Sequence, residues 1–165
     1  MTANGPYAVE RVHPPDWLMK YLVNPVMRRF LRRRRGKMSE LFLLLRFVGR
    51  RSGRSYEVPV GYRRIEGRVA LLTSSGWRCN FQGGADVEVN LAGETKRARA
   101  TLLDDPDQVA AIYGRLIDEV GLANANRQLG IKIHVDRKPS HEELIDMIRR
   151  SGLSVVWVDV EAQRV

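Results

Sequence analysis

The sequence predicts an α+β protein in which a β-barrel carries additional helices. Five or six short strand patterns with tight turns fill the middle of the chain, and two helical patterns follow before a last strand. With 165 residues, 44% of them hydrophobic, the chain has the length and composition of one globular domain with its own core. We therefore expect a flexible leader over residues 1–15 and a single domain over residues 16–165.

A basic helical segment is predicted over residues 16–36. Asp16 suits the cap of a first helix, and Asn24-Pro25 predicts a restart, because Asn favours the N-cap and Pro the first helical position. The stretch Trp17–Arg35 carries aromatic and aliphatic residues followed by arginines. Two interpretations stay open: a helix packed on the barrel with an exposed basic tail, or contact with an anionic membrane surface.

The middle of the chain alternates strand patterns with turn signals. Leu41–Val48 is apolar apart from Arg46, which predicts a strand buried on both faces. Glu66-Gly67 and Ala92-Gly93 are typical of tight hairpin turns. Further strands are predicted at residues 56–62, 68–74, 87–91 and 95–103.

Two helices are predicted before the last strand, at residues 105–121 and 140–152. The first opens with Asp-Pro, and the second opens with Ser-His-Glu-Glu, which is a capping-box pattern. Residues 127–135 between them are predicted to form a loop and a short strand. Residues 153–160 give the final strand.

Positive charge is concentrated in the first third of the chain. The net charge is +9, and arginines are concentrated between Arg28 and Arg54. Such a field attracts phosphates, anionic lipids or nucleic acid. We do not expect nucleic-acid binding, because the arginines lack interleaved aromatic residues and no nucleic-acid recognition motif is present.

Residues 49–54, which read Gly-Arg-Arg-Ser-Gly-Arg, are the candidate anion site. The glycines permit tight turns, and successive backbone amides with the Ser52 hydroxyl can surround phosphate oxygens. Arg50 and Arg51 can add charge-assisted hydrogen bonds. An ordinary basic hairpin explains this hexapeptide equally well.

The following segments extend this candidate site. Pro59 lies inside a strand pattern, which indicates an edge or a bulge where a flat ring could approach the backbone, or simply an edge strand. The polar turn at residues 73–76 could meet a second part of the same ligand. Trp77 and Asn80 are three residues apart and would share one face of a helical turn. Taken alone, Trp77 is better explained as a core residue.

In their order and spacing, these pieces resemble the deazaflavin (F-420)-dependent nitroreductase and quinone reductase family over about residues 41–105. The shared pattern is a Gly-Arg-Arg-Ser-Gly loop, a strand with Pro-Val, a Glu-Gly hairpin, a Ser/Gly turn and Trp-x-x-Asn-Phe. The resemblance implies a split β-barrel (FMN-binding-like) with N-terminal helices and helices inserted before the last strand. It also implies coenzyme F-420 as the cofactor, with FMN as the alternative, and hydride transfer to a quinone, nitro or other conjugated acceptor.

The resemblance further implies which residues contact the cofactor, while the catalytic residue is not identified. The implied contacts are Arg50, Arg51, Ser52 and Gly53 at the phosphate, Pro59 and Val60 behind the ring, and Ser74, Ser75, Gly76, Trp77 and Asn80 on the remaining walls. Tyr62, Tyr113 and His134 are candidates for a proton donor, and each also has a structural explanation.

The remaining expectations concern alternatives, location and assembly. A non-catalytic carrier of a flavin, haem or fatty acid stays open, since split barrels include such proteins. We expect no metal site, because the three histidines are scattered and Cys79 is solitary. With no disulfide, signal peptide or long apolar run, the expected location is cytoplasmic, with a peripheral position at the inner face of the cell membrane as the open alternative. An exposed Trp157 would fit a homodimer interface.

Overall fold

The computed structural model of the chain describes residues 7–12 and 42–161. These residues fall into two compact units, a barrel unit of residues 42–102 and 156–161 and a helical unit of residues 7–12 and 103–155. The predicted basic segment, residues 16–36, lies outside the described residues. The single domain expected over residues 16–165 stays a prediction.

The described elements comprise nine strands, one 3-10 helix and three α-helices. In chain order they are β1 Val9–Arg11, β2 Phe42–Val48, β3 Ser55–Gly61, β4 Arg63–Ile65, β5 Arg68–Thr73, the 3-10 helix Gly76–Phe81, β6 Ala85–Leu91, β7 Glu94–Leu103, α1 Pro106–Val120, α2 Leu122–Leu129, β8 Ile131–Ile133, α3 His141–Ser151 and β9 Ser154–Val160.

The barrel unit is built on one seven-stranded sheet, with the strand order β3-β2-β6-β7-β9-β5-β4. The β2–β3 and β6–β7 pairs are antiparallel hairpins. The predicted turns are confirmed, since Glu66 and Ala92 have φ angles of 51° and 52° and each precedes a glycine of positive φ. The fold is the predicted α+β split β-barrel, with its helices inserted before the last strand.

Strand β2 runs through the core of the barrel unit. Leu43, Leu45 and Phe47 are buried on one face and oppose alternate residues of β3. The prediction that this strand is buried on both faces is wrong at its end, where Arg46 is exposed and Val48 is 60% exposed.

The exposed position of Arg46 has an electrostatic explanation. Its guanidinium donates to Glu57 on β3 at 2.8 Å and to Glu88 on β6 at 3.2 Å. The pKa of Arg46 is raised above its ordinary value, chiefly by the hydrogen bond to Glu57. A cross-strand triad of this kind requires a solvated face. The prediction from the apolar residues of this strand did not include such a face.

In the helical unit, the predicted helices α1 and α3 are confirmed together with their caps. The Asp105 carboxylate accepts from the Gln108 amide at 3.3 Å, and the Ser140 hydroxyl accepts from the Glu143 amide at 3.2 Å. Gly152 ends α3 with φ 71°. Within the described residues, no helix is long and apolar enough to cross a bilayer.

Two elements of the helical unit differ from the predictions. Arg127–Leu129, predicted as loop, are the last residues of α2, and Ala125 and Leu129 are buried one turn apart. Val9–Arg11, predicted to belong to a flexible leader, form β1 and pair with β8. Both elements are short and mostly polar, so tertiary packing decides their structure more than local pattern does.

Trp157 of β9 is not the exposed residue that was predicted. Its ring is half-buried, and the Arg68 guanidinium lies 4.3 Å from the ring centroid. Arg68 is itself held by two hydrogen bonds to Asp159, at 3.0 and 2.9 Å. The cation covers the indole face, so the reason given for a homodimer interface at this residue no longer applies.

Candidate functional site

A cavity of about 650 Å³ lies within the barrel unit, at the end of the β2–β3 hairpin and against the 3-10 helix. Its size is in the range of small-molecule and cofactor sites. The lining residues come from three successive parts of the chain. They are Phe47, Gly49, Arg50, Arg51, Ser52, Tyr56, Val58, Gly76, Trp77, Cys79 and Asn80.

The loop of residues 49–54, here called the basic loop, joins β2 to β3 and forms one side of the cavity. It is closed by hydrogen bonds from the Gly49 amide to the Arg54 carbonyl at 2.7 Å and from the Gly53 amide to the Gly49 carbonyl at 2.9 Å. Gly53 has φ 67°, a conformation that glycine adopts without strain. A side chain on Gly49 would lie 2.6 Å from the Ser52 hydroxyl. Both glycines are therefore required by the shape of the loop.

The hydrogen-bond donors of the basic loop are only partly used by the protein. The Ser52 hydroxyl accepts from the Arg54 amide at 3.2 Å and lies 3.3 Å from the Tyr56 hydroxyl. Within the described part of the chain, the amides of Arg51 and Ser52 have no acceptor. Two adjacent free amides beside exposed guanidinium groups have the donor chemistry that a phosphate requires.

Asn80 connects the basic loop to the 3-10 helix. Its Oδ1 accepts from the Arg50 amide at 2.8 Å, and its Nδ2 donates to the Trp77 carbonyl at 2.8 Å. The Arg50 amide is therefore not available to an anion. The prediction that Trp77 and Asn80 share a face is confirmed, because both line the cavity from one turn of 3-10 helix.

Four aromatic rings, here called the aromatic wall, lie at the cavity and in the core behind it: Phe47, Tyr56, Trp77 and Phe81. Phe47 stacks on Tyr56 with centroids 5.5 Å apart and meets Phe81 edge-on at 5.2 Å. Trp77 lies 6.3 Å from Phe47 and 6.0 Å from Phe81. Tyr56 stays 42% exposed, so its ring offers apolar surface to a ligand.

Six of the eleven predicted contact residues line the cavity, and their role toward a cofactor stays a prediction. The six are Arg50, Arg51, Ser52, Gly76, Trp77 and Asn80. Gly53 lies in the basic loop without lining the cavity. Arg50, Arg51 and Trp77 thus line one cavity.

Pro59 and Val60 do not line the cavity, and their role behind a ring stays a prediction. The predicted edge position of the Pro59 strand is confirmed, because β3 is the terminal strand of the sheet. Side chains alternate along β3, so Pro59 points to the face opposite Val58, and Val58 is the residue that lines the cavity. Val60 shares the face of Val58 and packs against the barrel core.

Ser74 and Ser75 do not line the cavity. Their backbone carbonyls accept from Nη1 of Arg78 at 2.9 and 3.0 Å. The Ser75 amide donates to the buried Thr73 hydroxyl at 3.0 Å. The polar turn is thus engaged in starting the 3-10 helix, and the Arg78 guanidinium is bound to that turn.

The candidate proton donors do not line the cavity. Tyr113 is fully buried in α1, and the His134 ring lies 3.0 Å from the Glu10 carboxylate, both in the helical unit. Tyr62 packs against the barrel core. In the described part of the chain, no three metal-binding side chains cluster.

Four cavity residues were missed by sequence reasoning: Phe47, Tyr56, Val58 and Cys79. Three of them lie on one face of the β2–β3 hairpin, where Phe47 opposes Tyr56 and Leu45 opposes Val58. Period-two alternation from Val60 would have indicated Val58 and Tyr56. Nothing in the local pattern at Cys79 indicates a cavity.

Comparison with known proteins assigns the chain to a family. Residues 23–136, more than half of the chain, match the model of the F420H(2)-dependent quinone reductase family. The chain belongs to this family, as the resemblance implied. It is therefore an oxidoreductase, and its cofactor is coenzyme F-420.

Several solved structures are similar to this chain at low sequence identity. One, described as a domain-swapped dimer, is 18% identical with a TM-score of 0.45 and covers 89% of this chain and 100% of its own. An F420 reductase is 16% identical with a TM-score of 0.38, and the match covers 74% of this chain and 87% of the reductase. A conserved hypothetical protein from Mycobacterium tuberculosis is 17% identical with a TM-score of 0.38 and covers 94% and 84%. A search of curated proteins finds no match.

The cavity fits the cofactor of this family in its chemistry. The apolar surface of Val58 and the aromatic wall suits a flat conjugated ring. The free amides of Arg51 and Ser52 suit an anionic tail. Both chemistries line one cavity.

Proposed function

We propose that this chain reduces a quinone, a nitro compound or another conjugated acceptor by hydride transfer from reduced coenzyme F-420 held in the cavity of the barrel unit. The observation that carries the proposal is the meeting of the basic loop and the aromatic wall around one space of about 650 Å³. When bound in its reduced form, the deazaflavin supplies the hydride. The protein binds the cofactor, orients it and shields it from water.

The basic loop is assigned to the cofactor phosphate. The amides of Arg51 and Ser52 and the guanidinium groups of Arg50 and Arg51 are the available donors. Hydrogen bonds to a charged group contribute about 1.5–3 kcal/mol each. Part of this contribution offsets the entropy that is lost on binding, so the ring contacts are needed as well.

The aromatic wall and Val58 are assigned to the deazaflavin ring. Phe47 is 5% exposed and Phe81 is fully buried, so these two rings support the surface that Tyr56 and Trp77 present. An apolar wall excludes water from one side of the ring. That exclusion favours transfer of the hydride to the acceptor over loss to solvent.

Reduction of a quinone to a hydroquinone requires one hydride and one proton. The candidate side chains Tyr62, Tyr113 and His134 do not line the cavity. Tyr56 does line it, so the proton is assigned either to solvent or to the Tyr56 hydroxyl. Turnover that survives in Tyr56→Phe would leave solvent as the source.

The phosphate assignment is tested with a matched pair of charge reversals in the basic loop. Arg51→Glu should raise the Kd for F-420 at least tenfold, because it replaces a phosphate contact with a repelling charge. Arg54→Glu is the control, since Arg54 carries the same charge in the same loop but does not line the cavity. It should raise the Kd much less. Equal effects of the two variants, both folded by circular dichroism, would reduce the site to general electrostatic attraction.

Turnover separates an enzyme from a carrier. Reduced F-420 mixed with catalytic amounts of protein and a soluble quinone or a nitroaromatic compound should be reoxidised, as followed by the visible absorbance of the oxidised deazaflavin. Tight binding without turnover of either acceptor would favour the carrier alternative. The relative rates of the two acceptors decide between quinone and nitro reduction.

The location and assembly belong to the same proposal. We retain a cytoplasmic protein whose basic segment, Trp17–Arg35, contacts an anionic membrane and so reaches lipid-dissolved quinones. Flotation with anionic liposomes tests this contact, and absence of binding would remove it. A homodimer is proposed without an assigned interface and is tested by sedimentation equilibrium.

A further inference from the structure

The side chain of Asn80 lies between the two halves of the cofactor cavity. Its Oδ1 accepts from the Arg50 amide of the basic loop, and its Nδ2 donates to the carbonyl of Trp77, each at 2.8 Å. Among the described residues, the bond to Arg50 is the only hydrogen bond that joins the basic loop to the 3-10 helix. Both ends of the amide are therefore engaged by the protein backbone.

No other hydrogen bond of the basic loop among the described residues reaches the 3-10 helix; the remaining connection to Trp77 is the packing of Phe47 before the loop, whose ring lies 6.3 Å from Trp77. Two backbone bonds close the loop on itself, and the Ser52 hydroxyl connects it to Tyr56 of β3. The loop is otherwise exposed from Arg50 to Ser55. An exposed glycine-containing loop must lose conformational entropy when it orders around an anion, unless a contact has already fixed it.

We propose that Asn80 is a positioning residue, which holds the basic loop at a fixed distance from the Trp77 side of the cavity so that one cofactor can reach both. This inference rests on the proposed function and assigns Asn80 a role through Arg50 and Trp77, without direct contact with the cofactor. The ring and the phosphate are linked within one molecule. Once the ring is bound, the contact of the phosphate with the basic loop is therefore intramolecular. A fixed spacing between the two sites keeps its further entropic cost small.

This role predicts a specific pattern of affinities. Loss of the Asn80 amide should leave the surface that contacts the ring intact. It should reduce only the gain in affinity that the phosphate tail gives to F-420. A direct contact between Asn80 and the ring would instead weaken binding of any deazaflavin, with or without the tail. The two roles are thus separable by comparing ligands.

The experiment measures Kd values for F-420 and for the tail-less deazaflavin, which keeps the ring and ribityl chain but has no phosphate. In Asn80→Ala the Kd of the tail-less form divided by the Kd of F-420 should fall about tenfold, because F-420 binds more weakly, while the Kd of the tail-less form changes less than about threefold. Asn90→Ala is the matched control. It removes an asparagine that likewise accepts from a backbone amide, that of Gly93 at 3.1 Å, but does not line this cavity.

A double-mutant cycle with Arg51→Ala supplies a readout that a merely structural role would not move. If Asn80 acts through the basic loop, the effect of Asn80→Ala on F-420 binding should shrink in the Arg51→Ala background. Additive effects would overturn the inference, as would equal losses for both ligands or no loss at all. If the alanine variant does not fold, Asn80→Ser is measured in its place with the same expectation.

Failure of the proposed function gives a different result. A wild-type protein that binds neither ligand would overturn the cofactor site itself. A wild-type protein that binds both ligands equally would overturn the phosphate assignment of the basic loop. If the wild type prefers the phosphate-bearing form, the measurements on the variants then test the role of Asn80.

Discussion

Gly49 is placed where the chain leaves β2 and where a side chain has no room. A Cβ at this position would lie 2.6 Å from the Ser52 hydroxyl and 2.8 Å from the Tyr56 ring. Both neighbours line the cavity, so any adjustment moves a cavity wall. The requirement for glycine here is steric, because its φ lies outside the positive range.

Substitution of Gly49 should therefore affect binding more than folding. We expect Gly49→Ala to raise the Kd for F-420 about tenfold, since relieving the overlap displaces Ser52 or Tyr56 at a cost of about 1–3 kcal/mol. Gly114→Ala is the control. Gly114 lies inside α1 with its nearest neighbour at 3.8 Å, so alanine should raise the Tm slightly and leave the Kd unchanged. An unchanged Kd in Gly49→Ala would contradict the assigned shape of the basic loop.

The residue types of the candidate site were easier to predict than their directions. Arg50, Arg51, Trp77 and Asn80 were indicated by type and spacing, and all four line the cavity. Pro59 was selected because proline lacks a backbone N–H. Side chains alternate between the two faces of a strand, however, so this property does not say which face Pro59 lies on. The face that meets the cavity depends on pairing with β2, which a single sequence does not display.

Single elements show the same division between local signals and tertiary packing. Helix α3 carries a capping serine, acidic residues in its first turn and a C-terminal glycine, and its bounds were predicted closely. Helix α2 has the sequence Leu-Ala-Asn-Ala-Asn-Arg-Gln-Leu and follows the N-cap residue Gly121, with no side-chain cap. Asparagine favours turns over helix interiors, so the burial of Ala125 and Leu129 is needed to stabilise this helix.

The first turn of α3 also contains a pH-dependent ion pair. Arg137 donates to the Glu143 carboxylate at 2.6 Å, and this hydrogen bond is the main reason why the pKa of Glu143 is lowered. Because the folded-state pKa is the lower one, the contribution to stability is complete above the ordinary glutamate pKa of about 4.3. It is lost as the pH falls through the lowered value.

Glu143→Gln should lower the Tm modestly at neutral pH, because the pair is largely exposed and such pairs contribute little. The difference from wild type should shrink as the pH falls below about 4. Glu142→Gln removes the same charge from the same helical turn but has no ion-pair partner within the described residues, so it serves as the control. Thermal melts at several pH values measure both. A Glu143→Gln effect that does not exceed that of Glu142→Gln would contradict the pair.

For the whole molecule, the ordered set of motifs was more informative than composition. Length, hydrophobic content and a net charge of +9 are compatible with many folds and ligands. Five short motifs in one order and spacing indicated both the split barrel and the family. The division of the described residues into two compact units was not anticipated, because β1 of the helical unit precedes the barrel strands and pairs with the distant β8.

The central claim is that the cavity of the barrel unit binds coenzyme F-420 through its phosphate tail and its ring. The most direct measurement is a titration of the purified protein with F-420, with FMN in parallel, followed by quenching of tryptophan fluorescence, to which Trp77 in the cavity contributes. We expect saturable binding of F-420 at micromolar concentration or tighter, weakened by added salt, and weaker binding of FMN. Preference for FMN would contradict the cofactor assignment while keeping the fold, and binding of neither would contradict the site.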